Sequence, residues 1–270
     1  MTTIEPAVLY EVSDAVAEIT LNRPENRNSM TPDVLAGLAD AVARAKADAG
    51  VRCVIVTGRG KSFCAGADFR SRGGAAPGGG EDASAFVAPH ERSYNTYAPF
   101  LSLLDLEVPT IAAMNGHAIG GGLGLAIVCD LRVAATDAKY GANFVRLGLH
   151  PGMANTYILP RLMGVPNAIE LLLTGRLVDG AEAARRGLAH YAVAPEQVLT
   201  KSRELAREIA SAAPLAVRWT KRSIYQGLAW DPKTAARYEG HVQSRTMETE
   251  DFREGTKALL EKREPRFQGR

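Results

Sequence analysis

Three consecutive glycines, Gly120-Gly121-Gly122, close an apolar run that begins at Pro109. Such a triplet cannot extend a strand without a large loss of backbone entropy, so it ends one element and opens another. The residues that follow, to about Val128, fit a helix whose first turn is the glycines. Its N-terminus would offer unpaired N–H groups and a partial positive charge. An upstream segment has the same design: Val54-Ile55-Val56-Thr57-Gly58 leads into Ser62-Phe63-Cys64-Ala65-Gly66-Ala67-Asp68. Gly66 permits a close backbone approach there, and Ala67 presents an exposed N–H. Either segment alone reads as a tight turn. Two such N–H groups facing one another make an oxyanion hole, in which each donor stabilises a developing negative oxygen by roughly 2.7–4 kcal/mol.

Around these segments, strand and helix signals alternate over the first two-thirds of the chain. Residues 8–10 and 15–21 are β-rich. Thr31 has N-cap chemistry with Pro32 at N1, and the segment to Ala47 is apolar at helical spacing (Leu35, Leu38, Ala41, Val42, Ala45). Residues 53–57 and 109–114 are short and almost wholly apolar, as strands buried on both faces are, and 131–135 is a further strand. The alternation predicts an α/β core. Residues 71–84, rich in Gly, Ala and Pro, predict a mobile surface loop, and 85–106 a helix. From Asn155 onward, helices are predicted at 155–163, 166–174, 181–187, 197–212, 214–228, 233–247 and 251–263, punctuated by Pro160, Pro166 and Pro214. The expected division is a core over 1–195 and a helical region over 196–270, serving as a lid or an oligomerisation surface.

Composition acts by exclusion. With 32 basic and 30 acidic residues the net charge is +2, which gives no field for nucleic acid or an anionic membrane. No apolar stretch approaches the ~18 residues of a membrane span. The start, Met1-Thr2-Thr3-Ile4-Glu5-Pro6, shows no signal peptide, so the protein is read as cytoplasmic. Cys53, Cys64 and Cys129 each sit in an apolar run and read as buried free thiols rather than redox or metal groups; no metal is expected. Gly58-Arg59-Gly60-Lys61-Ser62 ends like a phosphate-binding loop but has Ile55 where that loop needs glycine. The glycine triplet lacks the spacing and the acidic partner of a dinucleotide site.

Further ordered stretches frame the two glycine segments. They are Ile19-Thr20-Leu21-Asn22-Arg23-Pro24-Glu25-Asn26-Arg27-Asn28, Cys129-Asp130-Leu131-Arg132-Val133-Ala134, Leu147-Gly148-Leu149-His150-Pro151-Gly152, Leu159-Pro160-Arg161-Leu162-Met163-Gly164 and Leu260-Glu261-Lys262-Arg263. Together they resemble the crotonase (enoyl-CoA hydratase/isomerase) superfamily over nearly the whole chain. The resemblance implies an α/β spiral of ββα units with a C-terminal helical oligomerisation region, forming a homotrimer or a dimer of trimers. It implies an acyl-CoA ligand, with coenzyme A arriving as part of the substrate and no tightly bound cofactor. It places the oxyanion donors on the N–H groups of Ala67 and Gly121, with Gly66, Asp68, Gly120 and Phe144 against the substrate. Arg27 and Lys262 fall where relatives hold the CoA nucleotide, and either also reads as a solvated surface charge.

The catalytic positions depart from the family. Its hydratases use two glutamates to orient one water and to exchange protons with it and the α-carbon. The matching residues here are Gly124 and Phe144. Hydrolase and dehalogenase branches place an acid at the position of Gly152. His150 is the candidate acid or base, and its other reading is a hydrogen bond to its own Pro-Gly turn. His117, Asp68 and Asp130 are expected to be structural, with Asp130 paired to backbone or an arginine. His90, Glu91, Tyr94 and Tyr97 lie on a helix that can line the acyl pocket. Three functions fit: an acyl-CoA enzyme of unassigned reaction, a carrier or sensor that lost its carboxylates, or an acyl-CoA thioester hydrolase.

Overall fold

A computed structural model describes residues 5–68 and 88–270; the glycine-rich stretch 71–84 and the expected helix start at Ala85 lie outside the described residues. The chain opens with β1 (Val8–Ser13) and β2 (Val16–Leu21), an antiparallel hairpin. β2 alternates buried Ala17, Ile19 and Leu21 with half-buried neighbours, the period of a strand with one dry face. α1 (Pro32–Ala47) begins as expected, with Thr31 extended and Pro32 at N1. The Thr31 hydroxyl, however, donates to the Asp33 carboxylate and caps no backbone group. α1 lays Val34, Leu38, Ala41, Val42 and Ala45 toward the hairpin. Full burial of a side chain such as Leu38 is worth about 1.5–3 kcal/mol.

One unit then repeats three times. β3 (Cys53–Gly58) is followed by β4 (Ser62–Cys64) and, beyond residues 69–87, by α2 (Pro89–Leu101). β5 (Thr110–Met114) is followed by β6 (His117–Ile119) and α3 (Gly121–Ile127). β7 (Leu131–Ala135) is followed by β8 (Lys139–Gly141), a 3-10 turn at Asn143–Leu147 and α4 (Asn155–Thr174). β9 (Val178–Asp179), α5 (Gly180–Arg185) and β10 (Tyr191–Val193) complete the sheets. In each unit the first strand enters one sheet and the second enters the other. The larger sheet runs β1-β2-β3-β5-β7-β10 and the smaller β4-β6-β8-β9. The larger is parallel from β2 to β10. β3 and β5 are buried along their whole length, which explains their unbroken apolar sequences. Tyr140 of β8, fully buried, accepts a hydrogen bond from Ala135 N–H at 2.9 Å and donates toward the Met114 carbonyl at 3.1 Å, tying β8 to β5 and β7.

The helices after Thr174 match the sequence reading to within one or two residues: α6 (Val198–Ser211), α7 (Pro214–Gly227), α8 (Pro232–Met247) and α9 (Glu250–Glu261). α4 is broken at Gly164 (φ 75°, ψ 155°), where the proline pattern had separated two helices. α6 sits on the larger sheet and buries every fourth residue, Val198, Ser202, Ala206 and Ala210. Small side chains in that row let the helix lie close to β3 and β5. Ile224 of α7, Leu228 at its C-cap, and Leu259 and Leu260 of α9 stay exposed. No helix among the described residues is long and apolar enough to cross a membrane.

The last eight residues fold back over α9. Buried Asp251 accepts N–H bonds from Gln268 (2.6 Å) and Gly269 (2.8 Å), and Arg52 donates to the Phe267 carbonyl at 2.7 Å. Glu254 takes both forks of Arg263 (2.6 and 2.9 Å) and Arg266 N–H (2.8 Å). The Arg263 hydrogen bonds, then that of Arg266, lower its pKa from 4.5 to about 2. A carboxylate acidified on folding stabilises fully above its unfolded pKa and loses that contribution as pH falls from 4.5 toward about 2. Glu254→Gln should therefore melt below the parent near neutral pH, with the gap narrowing below pH 4.5 and closing only as pH falls through about 2. A gap that stays constant across a series of thermal melts would show that this ion pair is not the acid-labile group.

Candidate active site

The two glycine-centred segments meet because β4 and β6 are parallel neighbours. Gly66 is buried with φ +83°; a Cβ there would lie 2.6 Å from the Ile119 carbonyl oxygen and 3.0 Å from Gly121 N. Both the backbone angle and the closeness demand glycine. Neighbouring hydrogen bonds hold the loop: Met30 N–H to Gly66 O at 2.8 Å, Ala65 N–H to Arg27 O at 3.0 Å, and Gly120 N–H to Gly141 O at 2.8 Å. Asn115 clamps the turns below, accepting from Gly58 N–H (3.1 Å) and donating to Gly60 O (2.9 Å). Among the described residues, neither Ala67 N–H nor Gly121 N–H donates to a protein acceptor. The arrangement thus supplies two free backbone donors on adjoining segments, one of them at the first turn of α3. Donors held this way need no reorganisation when charge appears on an oxygen between them.

The surroundings are apolar. A Cβ on Gly121 would run into Met30 Sδ and lie 3.2 Å from Met153 Sδ. At Gly124, one of the two positions the resemblance matches to a hydratase glutamate, a Cβ would meet Met153 Cβ, Sδ and Cε at 2.8, 2.9 and 3.0 Å. Met153, buried and at φ 57°, fills the volume that a carboxylate would need. Phe144, at the other position, is half-buried, with its Cζ 3.9 Å from where a Gly120 Cβ would stand. Gly152 has no side chain because the Tyr97 hydroxyl occupies that place, 2.6 Å from the would-be Cβ. Sequence reasoning passed over Met30 and Met153, since no spacing rule announces a methionine that closes a gap.

The remaining candidates separate. Arg27 is exposed in left-handed backbone (φ 60°) beside the first segment, and its guanidinium pairs with no group among the described residues. Lys262 is the exposed left-handed C-cap of α9 (φ 52°), a helix that packs on α8. Asp68, half-buried, follows Ala67 directly. His150 is exposed on the loop before α4 and makes no hydrogen bond to its Pro-Gly turn or to any other described group. His117 accepts from Lys139 N–H at 2.9 Å, a structural role. Asp130 accepts from Thr110 N–H (2.7 Å) and the Tyr225 hydroxyl (2.6 Å), and its ion-pair partner is Lys221 (2.8 Å) rather than an arginine. Arg132 instead donates to the Leu188 and Cys129 carbonyls, at 2.7 and 2.6 Å. The three cysteines are buried and unbridged, and burial pushes their thiols up to about 12. Such thiols are inert at neutral pH. No cluster of metal-ligating side chains occurs among the described residues.

A two-sheet ββα spiral with paired backbone donors at the β4 and β6 ends defines a class, and comparison with known proteins agrees. Residues 11–270 match the family model described as enoyl-CoA hydratase/isomerase. The (E)-benzylidenesuccinyl-CoA hydratase of Thauera aromatica is 38% identical over 267 residues, covering 97% of this chain and 99% of that one. The crotonyl-CoA hydratase of Syntrophomonas wolfei is 36% identical over 263 residues, covering 96% and 97%. The crystal structure of enoyl-CoA hydratase from Bacillus anthracis superposes with a TM-score of 0.88 at 34% identity, over 98% of this chain and all 100% of that one. The chain belongs to the enoyl-CoA hydratase/isomerase family of the crotonase superfamily.

Proposed function

We propose that this protein binds an acyl-coenzyme A thioester and polarises its carbonyl between the N–H groups of Ala67 and Gly121. The observation that carries this reading is the pair of unsatisfied donors on segments so close that Gly66 cannot bear a side chain. Backbone N–H groups are rarely left unpaired in a folded chain unless a ligand or water takes them. The relatives that share the fold bear acyl-CoA names. Arg27, next to the first donor and without a protein partner, reaches for the CoA phosphates, and Lys262 does so from the end of α9. Asp68, Gly120 and Phe144 border the bound thioester. Coenzyme A enters as part of the substrate, and no tightly held cofactor is needed. The exposed apolar residues of α7 and α9 support self-association through residues 196–270, as a trimer or a dimer of trimers. Buried thiols suit a reducing cytoplasm.

The reaction is enolate or oxyanion chemistry that does not use the two-glutamate set, and His150 is its candidate acid or base. Isothermal titration with saturated, 2-enoyl, 3-enoyl and β-hydroxy acyl-CoAs, with products followed by mass spectrometry, tests the reading. Micromolar binding of acyl-CoA is expected, and failure to bind any of them overturns it. His150→Gln should lower turnover of the converted substrate by about 10²-fold or more at unchanged affinity; unchanged turnover removes His150 from the chemistry. A second reading, a carrier or sensor without catalysis, is favoured by Met153 filling the space at Gly124. Tight binding with no product would establish it.

A further inference from the structure

α9 packs chiefly on α8 and buries only Asp251 and Ala258, so little of its own surface fixes it to the core. The chain beyond it supplies the attachment. It reverses at Lys262 and returns antiparallel along α9. Arg266 N–H meets Glu254 at 2.8 Å, Gln268 and Gly269 N–H meet Asp251 at 2.6 and 2.8 Å, and the Arg270 guanidinium meets Glu250 at 2.9 Å. Asp251 N–H donates in turn to the Arg270 carbonyl at 3.1 Å. Among the described residues Asp251 is the one buried carboxylate, and no lysine or arginine pairs with it. A buried carboxylate is costly without donors, and the returning chain provides them. Arg52, just ahead of β3, joins this strap to the core: it donates to the Phe267 carbonyl at 2.7 Å and to Ala210 O, at the end of α6, at 3.0 Å. The Phe267 ring lies where a Cβ on Gly255 would be 3.4 and 3.5 Å from it.

We propose that residues 263–270 are a strap that sets α9, and with it Lys262, for the phosphates at the nucleotide end of coenzyme A, with Asp251 and Arg52 as its positioning residues. The inference rests on the acyl-CoA reading above and on the place of Lys262 in it. Lys262 is the residue at which the strap begins, exposed, with an ammonium that pairs with no described group. Ordering a long side chain on an unanchored helix end consumes binding free energy, and holding the helix in advance removes part of that cost. The strap does this from both ends. Arg263 grips Glu254 near the C-terminus of α9, and Asp251 binds the strap at the first turn, next to the contact with Arg52. Asp251 and Arg52 act on the ligand only through the position of α9.

Calorimetric titration with butyryl-CoA and with S-butyryl-pantetheine, which lacks the nucleotide, separates the two ends of the ligand. Three variants are compared with the full chain: Lys262→Ala, Arg52→Met, which keeps the whole strap, and a chain ended at Pro265, which keeps the Arg263–Glu254 pair. Circular dichroism checks each fold. The parent is expected to bind butyryl-CoA the more tightly. Each variant should weaken that binding by about tenfold, the scale of one hydrogen bond to a charged group, and leave the pantetheine thioester unchanged. Hydrogen exchange of the α9 amides should quicken in the Arg52 variant and the shortened chain, but not in Lys262→Ala. If the shortened chain does not fold, Arg52→Met decides. An undiminished preference for butyryl-CoA in Arg52→Met or Lys262→Ala, or an equal loss for both ligands, overturns the strap's role. Equal affinity of the parent for both ligands overturns it too and leaves thioester binding standing. A folded parent that binds neither overturns the acyl-CoA reading and this inference with it.

Discussion

Gly122→Ala is expected to destabilise the protein by about 3 kcal/mol or more, or to prevent its accumulation in folded form. Position 122 lies in α3, where alanine would ordinarily be the better helix former. Here its Cβ would collide with the Cys64 carbonyl oxygen, with the carbonyl carbon at 2.6 Å and Cys64 Cβ at 2.9 Å. These are atoms of β4 and cannot rotate away, so α3 would have to withdraw from the small sheet. Forced overpacking of this kind costs about 1–3 kcal/mol and occasionally more. Gly240→Ala is the internal comparison, because nothing stands within 4 Å of that position in α8. It should stabilise by up to about 1 kcal/mol. Urea denaturation of both variants would show midpoints moving in opposite directions. A Gly122→Ala midpoint equal to the parent's would mean that the β4–α3 approach is looser than described.

The second large effect concerns reaction rather than stability. Gly124→Glu alone should destabilise the chain and add no activity, because Met153 holds the space at 2.8–3.0 Å. The triple variant Gly124→Glu, Phe144→Glu, Met153→Ala introduces two carboxylates and opens the volume beside position 124. It is expected to hydrate a 2-enoyl-CoA at least about 10²-fold faster than the parent, the usual scale of general acid–base assistance. Loss of the enoyl-thioester absorbance measures it directly. A folded triple variant that binds the thioester but hydrates it no faster would show that more than the two side chains separates this site from a hydratase. A parent that already hydrates rapidly would mean that another group positions the water.

How much of this was legible beforehand depends on length and chemistry. β3, β5 and the long helices were readable because each presents a sustained apolar pattern, and α1 announced its start with Thr31-Pro32. The smaller sheet was not readable. β4, β6 and β8 are three residues each and β9 is two, too short to show a period of two. Yet that sheet brings Gly66 and Gly121 together. His150 stands exposed on the loop before α4 and the Tyr97 hydroxyl lies against Gly152, placements that neither residue's position in the sequence reveals.

The sequence by itself determined the family and the order of elements, because backbone motifs and apolar periods are properties of short stretches of chain. Tertiary structure alone decided what packs against the glycines at 124 and 152. Met153 comes to rest against Gly124, and Tyr97 against Gly152, from positions 29 and 55 residues away. Close packing ties the choice at one position to volumes contributed from distant parts of the chain, and no local pattern carries that information.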